Sequence, residues 1–490
     1  MIQQPNYSFT EKEMIMRELA KLRDRIIGRV NINLRHSGTD VGPYMTDIVS
    51  PENLLKFYAF YGIWSNHPIH FHFSHSNLAG SYFLGRCRVD NSILYKCDIR
   101  GDELKEKGNK ILLDGKSFTV EDDEIIRIEN SLLIKTLVHN FSHNPEKLEL
   151  FLIKNSASAP YANIHGSPVE GCFLEPFSTV DLTSLHDCRV GTYSYVQAGE
   201  LSHQEVESGR VWVRHNDFEF NYLFDKDILH NRYIAFEPGK GAMGMFMDFV
   251  EDRKPDFQKL YDVVNLESPI KDIPRGASIN RYSVWKGKNH ISENVLVSQR
   301  AYLESAWLGR GANAQENCYI SFSRLEGCNV TAHGATIIYA NMGNKVFTGF
   351  NSFLQGKADF PLTVGDECII MPHTIMDLTE AVTVPGRHLV WGYIRTQADL
   401  AEHSIPLERL SRIKDGITMG NMRFKGNGES FVNAFRHRIK HILEANGALY
   451  DGDESRRGHA QKGQNISFNI IQPYPRGELK GLFPTMDIEP

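Results

Sequence analysis

A mainly β chain, wound as a parallel β-helix with inserted subdomains and C-terminal α-helices, is predicted by three features of these 490 residues. Four of the seven cysteines recur in one local pattern: LGRCRV (84–89), VEGCFL (169–174), LHDCRV (185–190) and LEGCNV (325–330). Aliphatic residues fall six apart in three stretches, with Thr331 as the weak member: Leu325, Thr331 and Ile337; Val364, Ile370 and Met376; and Val190 and Val196. Between these stretches lie segments without the rhythm. A short fixed period marks a repeat architecture, in which one aliphatic side chain takes the same place on every flat face and successive coils stack into a continuous core. Leu84, Leu185, Leu325 and Val364 are therefore expected to point inward. Gly, Ala, Cys and Ser suit the tight corners.

These motifs resemble the left-handed parallel β-helix superfamily of hexapeptide-repeat proteins, which includes many trimeric acyltransferases and the γ-class carbonic anhydrases. The stretch FLGRCRVDNSILYKCDIRGDEL (83–104) is similar to the entry coils of γ-class anhydrase-like proteins, down to IRGD at Ile99 to Asp102. The resemblance implies a homotrimer, because such proteins build their sites between three parallel prisms.

The chain divides along these signals. Residues 1–75 form an N-terminal helical or mixed region. Thr10 and Glu13 make a capping-box sequence, apolar residues follow at helical spacing to Ile27, and Gly28 is placed to end the helix. A second helix is expected over PENLLKFYAFYGIW, 51–64. The first coils occupy 76–102, an insertion of alternating strand-like runs 103–155, and further coils 156–205. A second insertion, rich in aromatic and charged residues, spans 206–285, and the main β-helix 286–395. Its end, TVPGRHLVWGYIRTQADL (383–400), looks like the exit segment of hexapeptide transferases. That likeness implies a cofactor contact at Gly392, although the usual Asn-Pro-Ala continuation is replaced by Tyr393 and Ile394. C-terminal helices are expected over 396–450 and a polar arm over 451–490.

Composition narrows the function classes. Hydrophobic residues at 41% and charged residues at 23% are ordinary for a globular chain. A net charge of −6 gives no general attraction to nucleic acid or anionic membrane, so neither is expected as a partner. No segment offers about 18 uninterrupted apolar residues. Seven cysteines without a CxxC pair fit a reducing, cytoplasmic setting without a disulfide framework. The chain also lacks GxxxxGK[ST], HExxH, GxSxG and a GxGxxG after a strand, which excludes the commonest signatures of nucleotide, protease and hydrolase chemistry.

Histidine carries the candidate chemistry. Moving an acyl group from a thioester to a hydroxyl or amine requires a base for the acceptor's proton, and imidazole titrates near neutral pH. His203 lies where VGTYSYVQAGELSH gives way to a loop, similar in placement to the catalytic histidine of sugar and xenobiotic acetyltransferases, with Glu205 or Glu207 able to orient it. His333 sits in register within VTAHGATI, and His373 and His165 are weaker candidates. The resemblance implies acyl-CoA as co-substrate and a small-molecule acceptor. A metal reading rests on NHPIHFHFSHSN, where His67, His70, His72 and His75 fall within nine residues. His70, His72 and His75 would be the ligands, zinc the expected ion, and His139 with His143 a possible completion. The γ-class trio is not matched, since position 338, five after His333, is Ile338. His437 and His441 read as a solvated basic helix face. Acyl transfer thus leads, followed by a non-catalytic scaffold and then by a metal-dependent lyase or hydrolase.

Overall fold

The computed structural model describes residues 9–55, 59–63, 70–113, 116–262, 268–464, 466–471 and 486–488. The chain divides into two compact units: a first of residues 2–210, 225–250 and 467–490, and a second of 211–224 and 251–466. Each is built on short parallel strands arranged in three sheets.

In the first unit the largest sheet runs through Ala59–Ile63, Ser81–Gly85, Asp98–Gly101, Leu137–His139, Asn163–His165, Thr179–Asp181 and Tyr195–Gln197. Ile99, Val138, Ile164, Val180 and Val196 align across it and are fully buried, forming the row that faces the coil interior. The coil is not strictly hexapeptide: Leu185 pairs with Val169 and Leu201, each 16 residues away. The chain turns at corners whose residues have positive φ. One ladder of them is His75, Asn91, Asn130, Asn155, Gly171, Asp187 and His203. Left-handed backbone penalises Cβ, and asparagine, aspartate and histidine are the side-chain-bearing residues that tolerate it best.

The helix Phe9–Asn33 covers the outside of another sheet. Ile15, Leu19, Leu22, Ile26 and Val30, at helical spacing, pack in one cluster with Ile93, Leu132, Ile134, Ala157 and Phe173. It runs past Gly28, whose φ is not positive, because Val30 and the buried Leu34 continue the apolar stripe. The expected helix 51–64 is corrected to a helix Pro51–Leu55 and a strand Ala59–Ile63. That aromatic run pairs in parallel with Ser81–Gly85, so the first coil begins before residue 76.

The insertion 103–155 is also redrawn. The antiparallel hairpin Lys110–Leu113 with Lys116–Thr119 leaves the coil register, but Ile126–Glu129, Leu132–Ile134, Leu137–His139 and Phe151–Lys154 are coil strands. The hairpin interrupts the period and so hides it. Leu84 is buried but takes the alternate row with Arg100, because Phe83 fills the core row beside Ile99. From the expected arm, Ser467–Ile471 and Met486–Ile488 return as antiparallel strands on Ala59–Ile63 and Phe71–Ser74, covering edges that would otherwise invite intermolecular pairing.

The second unit's coils run from Ser278–Ile279 to Tyr393–Ile394. Here Leu325 pairs with Leu308 and Met342, each 17 residues away. Leu325, Ile337, Val364, Ile370 and Met376 share one core, as the six-residue spacing predicts. Helices Gln397–Glu402, Leu407–Ser411 and Gly428–Ala445 follow, with the hairpin Gly416–Met419 and Met422–Gly426 before the last. Gly392 proves to be a packing turn. Its φ is +80°, and a Cβ there would lie 2.7 Å from Tyr222 Cζ and 2.8 Å from His403 Cδ2, which leaves no room for the cofactor contact expected of it. No helix among the described residues is long and apolar enough to cross a membrane.

Two outcomes check this packing. Leu325→Ala should cost about 2–5 kcal/mol through lost burial and a cavity, read as a lower urea midpoint. Gly392→Ala should cost at least about 1–2 kcal/mol from its left-handed backbone alone. The contact with Tyr222 should add to that in thermal unfolding.

Candidate functional site

Corner stacking places His203 directly after Asp187 in the first unit, and His203 N donates to His186 O at 2.9 Å. His203 Nε2 lies 3.5 Å from Asp187 Oδ2, and Nδ1 lies 2.7 Å from Ser202 Oγ. Asp187 is anchored in turn by Asn33, whose Nδ2 donates to Oδ1 at 2.6 Å, and the His36 ring packs 4.9 Å from that of His203. Gly171, one coil earlier on the ladder, is required here, since a Cβ would lie 2.1 Å from Asp187 Oδ1 and 2.6 Å from Asn33 Nδ2. The imidazole is 60% exposed. Nε2–H toward the carboxylate leaves Nδ1 to accept from a hydroxyl, the place Ser202 now fills.

Glu205 and Glu207, the orienting groups expected from sequence, instead line a cavity of about 430 Å³. Its walls come from the coils that carry Asp187 and His203, through Arg189, Thr192 and Ser208, and from the segment bearing Lys226, His230 and Phe236. Buried Glu175 organises one side, accepting from Arg189 Nε at 2.8 Å, Thr192 N at 2.9 Å and Thr192 Oγ1 at 2.7 Å. His230 lies on a π-helical turn, Leu229–Tyr233, a form often found at functional sites.

A second polar cluster occupies the outward rows of the largest sheet. Arg100, His139, His165 and Asp181 align strand to strand and are all buried. The IRGD segment closes on itself: Arg100 Nε donates to Asp102 Oδ1 at 3.1 Å and its Nη2 to Oδ2. His165 Nδ1 lies 2.9 Å from Asp181 Oδ1, and Tyr195 OH donates to Asp181 Oδ2. Burial pushes His139 well below the usual imidazole range, against weaker opposition from Glu103 and Asp102, so it is neutral at pH 7. His139 and His165 meet edge to face, with ring centres 5.1 Å apart.

In the second unit His333 is 3% exposed, and its Nδ1 lies 2.9 Å from Glu316 Oε2, one 17-residue coil earlier. His373, also buried, is the positive-φ corner residue two coils on from Gly334. His437 and His441 are exposed on Gly428–Ala445.

The metal reading at residues 67–75 is corrected. His67 lies outside the described residues, and among those described His70, His72 and His75 form no ligand group. His72 is 3.5 Å from Asp90 Oδ1, and His75 Nδ1 is 3.1 Å from Ser74 Oγ on the exposed corner. Their residue type is explained by position: His72 alternates outward between buried Phe71 and Phe73, and His75 starts the corner ladder.

Comparison with known proteins gives the lineage. The family model "Hexapeptide repeat including loop" matches residues 116–238. A crystal structure of a "putative acetyltransferase" from Desulfovibrio desulfuricans G20 is 52% identical, covers 96% of this chain and 99% of its own, and superposes with a TM-score of 0.88. No curated protein matches. With that identity over nearly the whole of both chains, this protein belongs to the hexapeptide-repeat family of left-handed β-helix proteins.

Proposed function

We propose that the protein transfers an acyl group from acyl-CoA to a hydroxyl or amine acceptor, with His203 as the general base. The observation that carries the reading is an accessible imidazole oriented by a carboxylate, His203 beside Asp187. The likeness to a protein described as an acetyltransferase supports it. In the reaction the acceptor's hydroxyl or amine takes the place of Ser202 Oγ at Nδ1 and gives up its proton as it attacks the thioester carbonyl. Asp187 stabilises the imidazolium, and the proton passes to the departing CoA thiolate. The 430 Å³ cavity falls within the range of small-ligand sites, and we assign the acceptor to it. His333 has the closer carboxylate, but its burial denies an acceptor access. Assembly as a homotrimer belongs to this reading, and light scattering should give three times the mass of one chain.

His203→Ala should lower turnover about 10²- to 10⁴-fold while leaving acyl-CoA binding nearly intact. His230→Ala, at the cavity, should raise the acceptor KM with little change in kcat. If His333→Ala abolishes transfer and His203→Ala does not, the base is His333. If neither variant loses turnover, or no acyl-CoA binds, a scaffold role replaces catalysis.

A further inference from the structure

We propose that His139 and His165 are two ligands of a divalent transition-metal ion held on the outward face of the first unit's largest sheet. The inference does not rest on His203 or on acyl transfer.

Register brings the pair together. Leu137–His139 and Asn163–His165 are adjacent parallel strands, and the two histidines are direct partners across them, so both side chains leave the sheet on the same side. Their ligand nitrogens lie within 4.8 Å of each other. Two ligands about 2.1 Å from a tetrahedral zinc would be about 3.4 Å apart, so small ring rotations suffice.

The surroundings match what a metal-binding imidazole needs. A ligating histidine usually turns its other nitrogen to a carboxylate, which fixes the tautomer and the ring plane. His165 Nδ1 faces Asp181 Oδ1 at 2.9 Å, making Nε2 the coordinating nitrogen. Asp181 is steadied by Tyr195 OH, and the Gln197 carboxamide oxygen lies 3.0 Å from that hydroxyl. His139 Nε2 lies 3.9 Å from Asp102 Oδ1, so a second carboxylate stands beside the pair. Asp102 is matched by Arg100, whereas Asp181 adds a further buried negative charge that a dication beyond the His165 ring would balance. Imidazole ligands suit zinc, copper, iron and nickel.

The test is metal analysis of the full chain, purified without an affinity tag or chelator. One ion per chain is expected in the wild type and none in the His139→Gln/His165→Gln double variant. Asp181→Asn, which spares both ligands, should weaken zinc binding about 10- to 100-fold. Zinc added to chelator-treated wild type should raise its Tm and leave that of the double variant unchanged. A wild type without transition metal that also gains no thermal stability from added zinc overturns the site, as does a double variant that keeps its full metal content. Should the double variant fail to fold, cobalt(II) added to chelator-treated wild type decides: visible d–d bands of imidazole ligation support the proposal, and their absence sinks it.

Discussion

Everything in this molecule depends on turning the chain at each corner without losing the stack. A parallel coil closes only if its corner residues adopt left-handed backbone, and each corner amide donates to a carbonyl of the coil before, as His203 N does to His186 O. Left-handed φ disfavours most side chains, and buried amides must find acceptors. Together these demands fix a coil of 16 residues at Leu185 and of 17 at Leu325. Insertions are confined to places where the chain can leave and re-enter that register, as the hairpin between Asp98–Gly101 and Ile126–Glu129 does.

A fixed coil length turns sequence separation into contact. Three histidines face a carboxylate one coil away: His203 with Asp187, His165 with Asp181, and His333 with Glu316. The scaffold thus produces the same oriented pair repeatedly, and environment separates their roles. Burial in low dielectric keeps an imidazole such as His139 neutral, the form that binds a metal, while exchange of substrate needs the exposure that His203 has.

How much was legible follows from the same register. Where coils run uninterrupted, as from Leu325 to Ile337, the six-residue spacing marks the core residues directly. Across the Lys110–Thr119 hairpin it cannot, so the strands at 126–139 look like part of an insertion. Phe60 and Tyr61 sit in an apolar run that suits helix or strand equally, and pairing with Ser81–Gly85 decides for strand. His203 was visible as a residue at the end of the coils, but its partner was sought among nearby glutamates. Aligning LHDCRV with LSHQEV at the 16-residue offset pairs Asp187 with His203, a signal present in the sequence but masked by the assumption of sixes.

The coil also explains how precisely an exposed base is held. A histidine on a free loop samples many rotamers, and each must be narrowed before reaction. His203 begins from a backbone fixed by its corner φ and by the amide bond to His186, so only its side-chain torsions remain to be set. Ser202, Asp187 and the His36 ring restrict those. Asp187 is itself tied to Asn33 at the end of the N-terminal helix, in space that exists only because Gly171 carries no side chain. Positioning a catalytic group on rigid elements lowers the entropy lost on the way to the transition state. The helix packed on the outer sheet and the glycine one coil below are therefore part of the chemistry, although neither touches the reacting atoms.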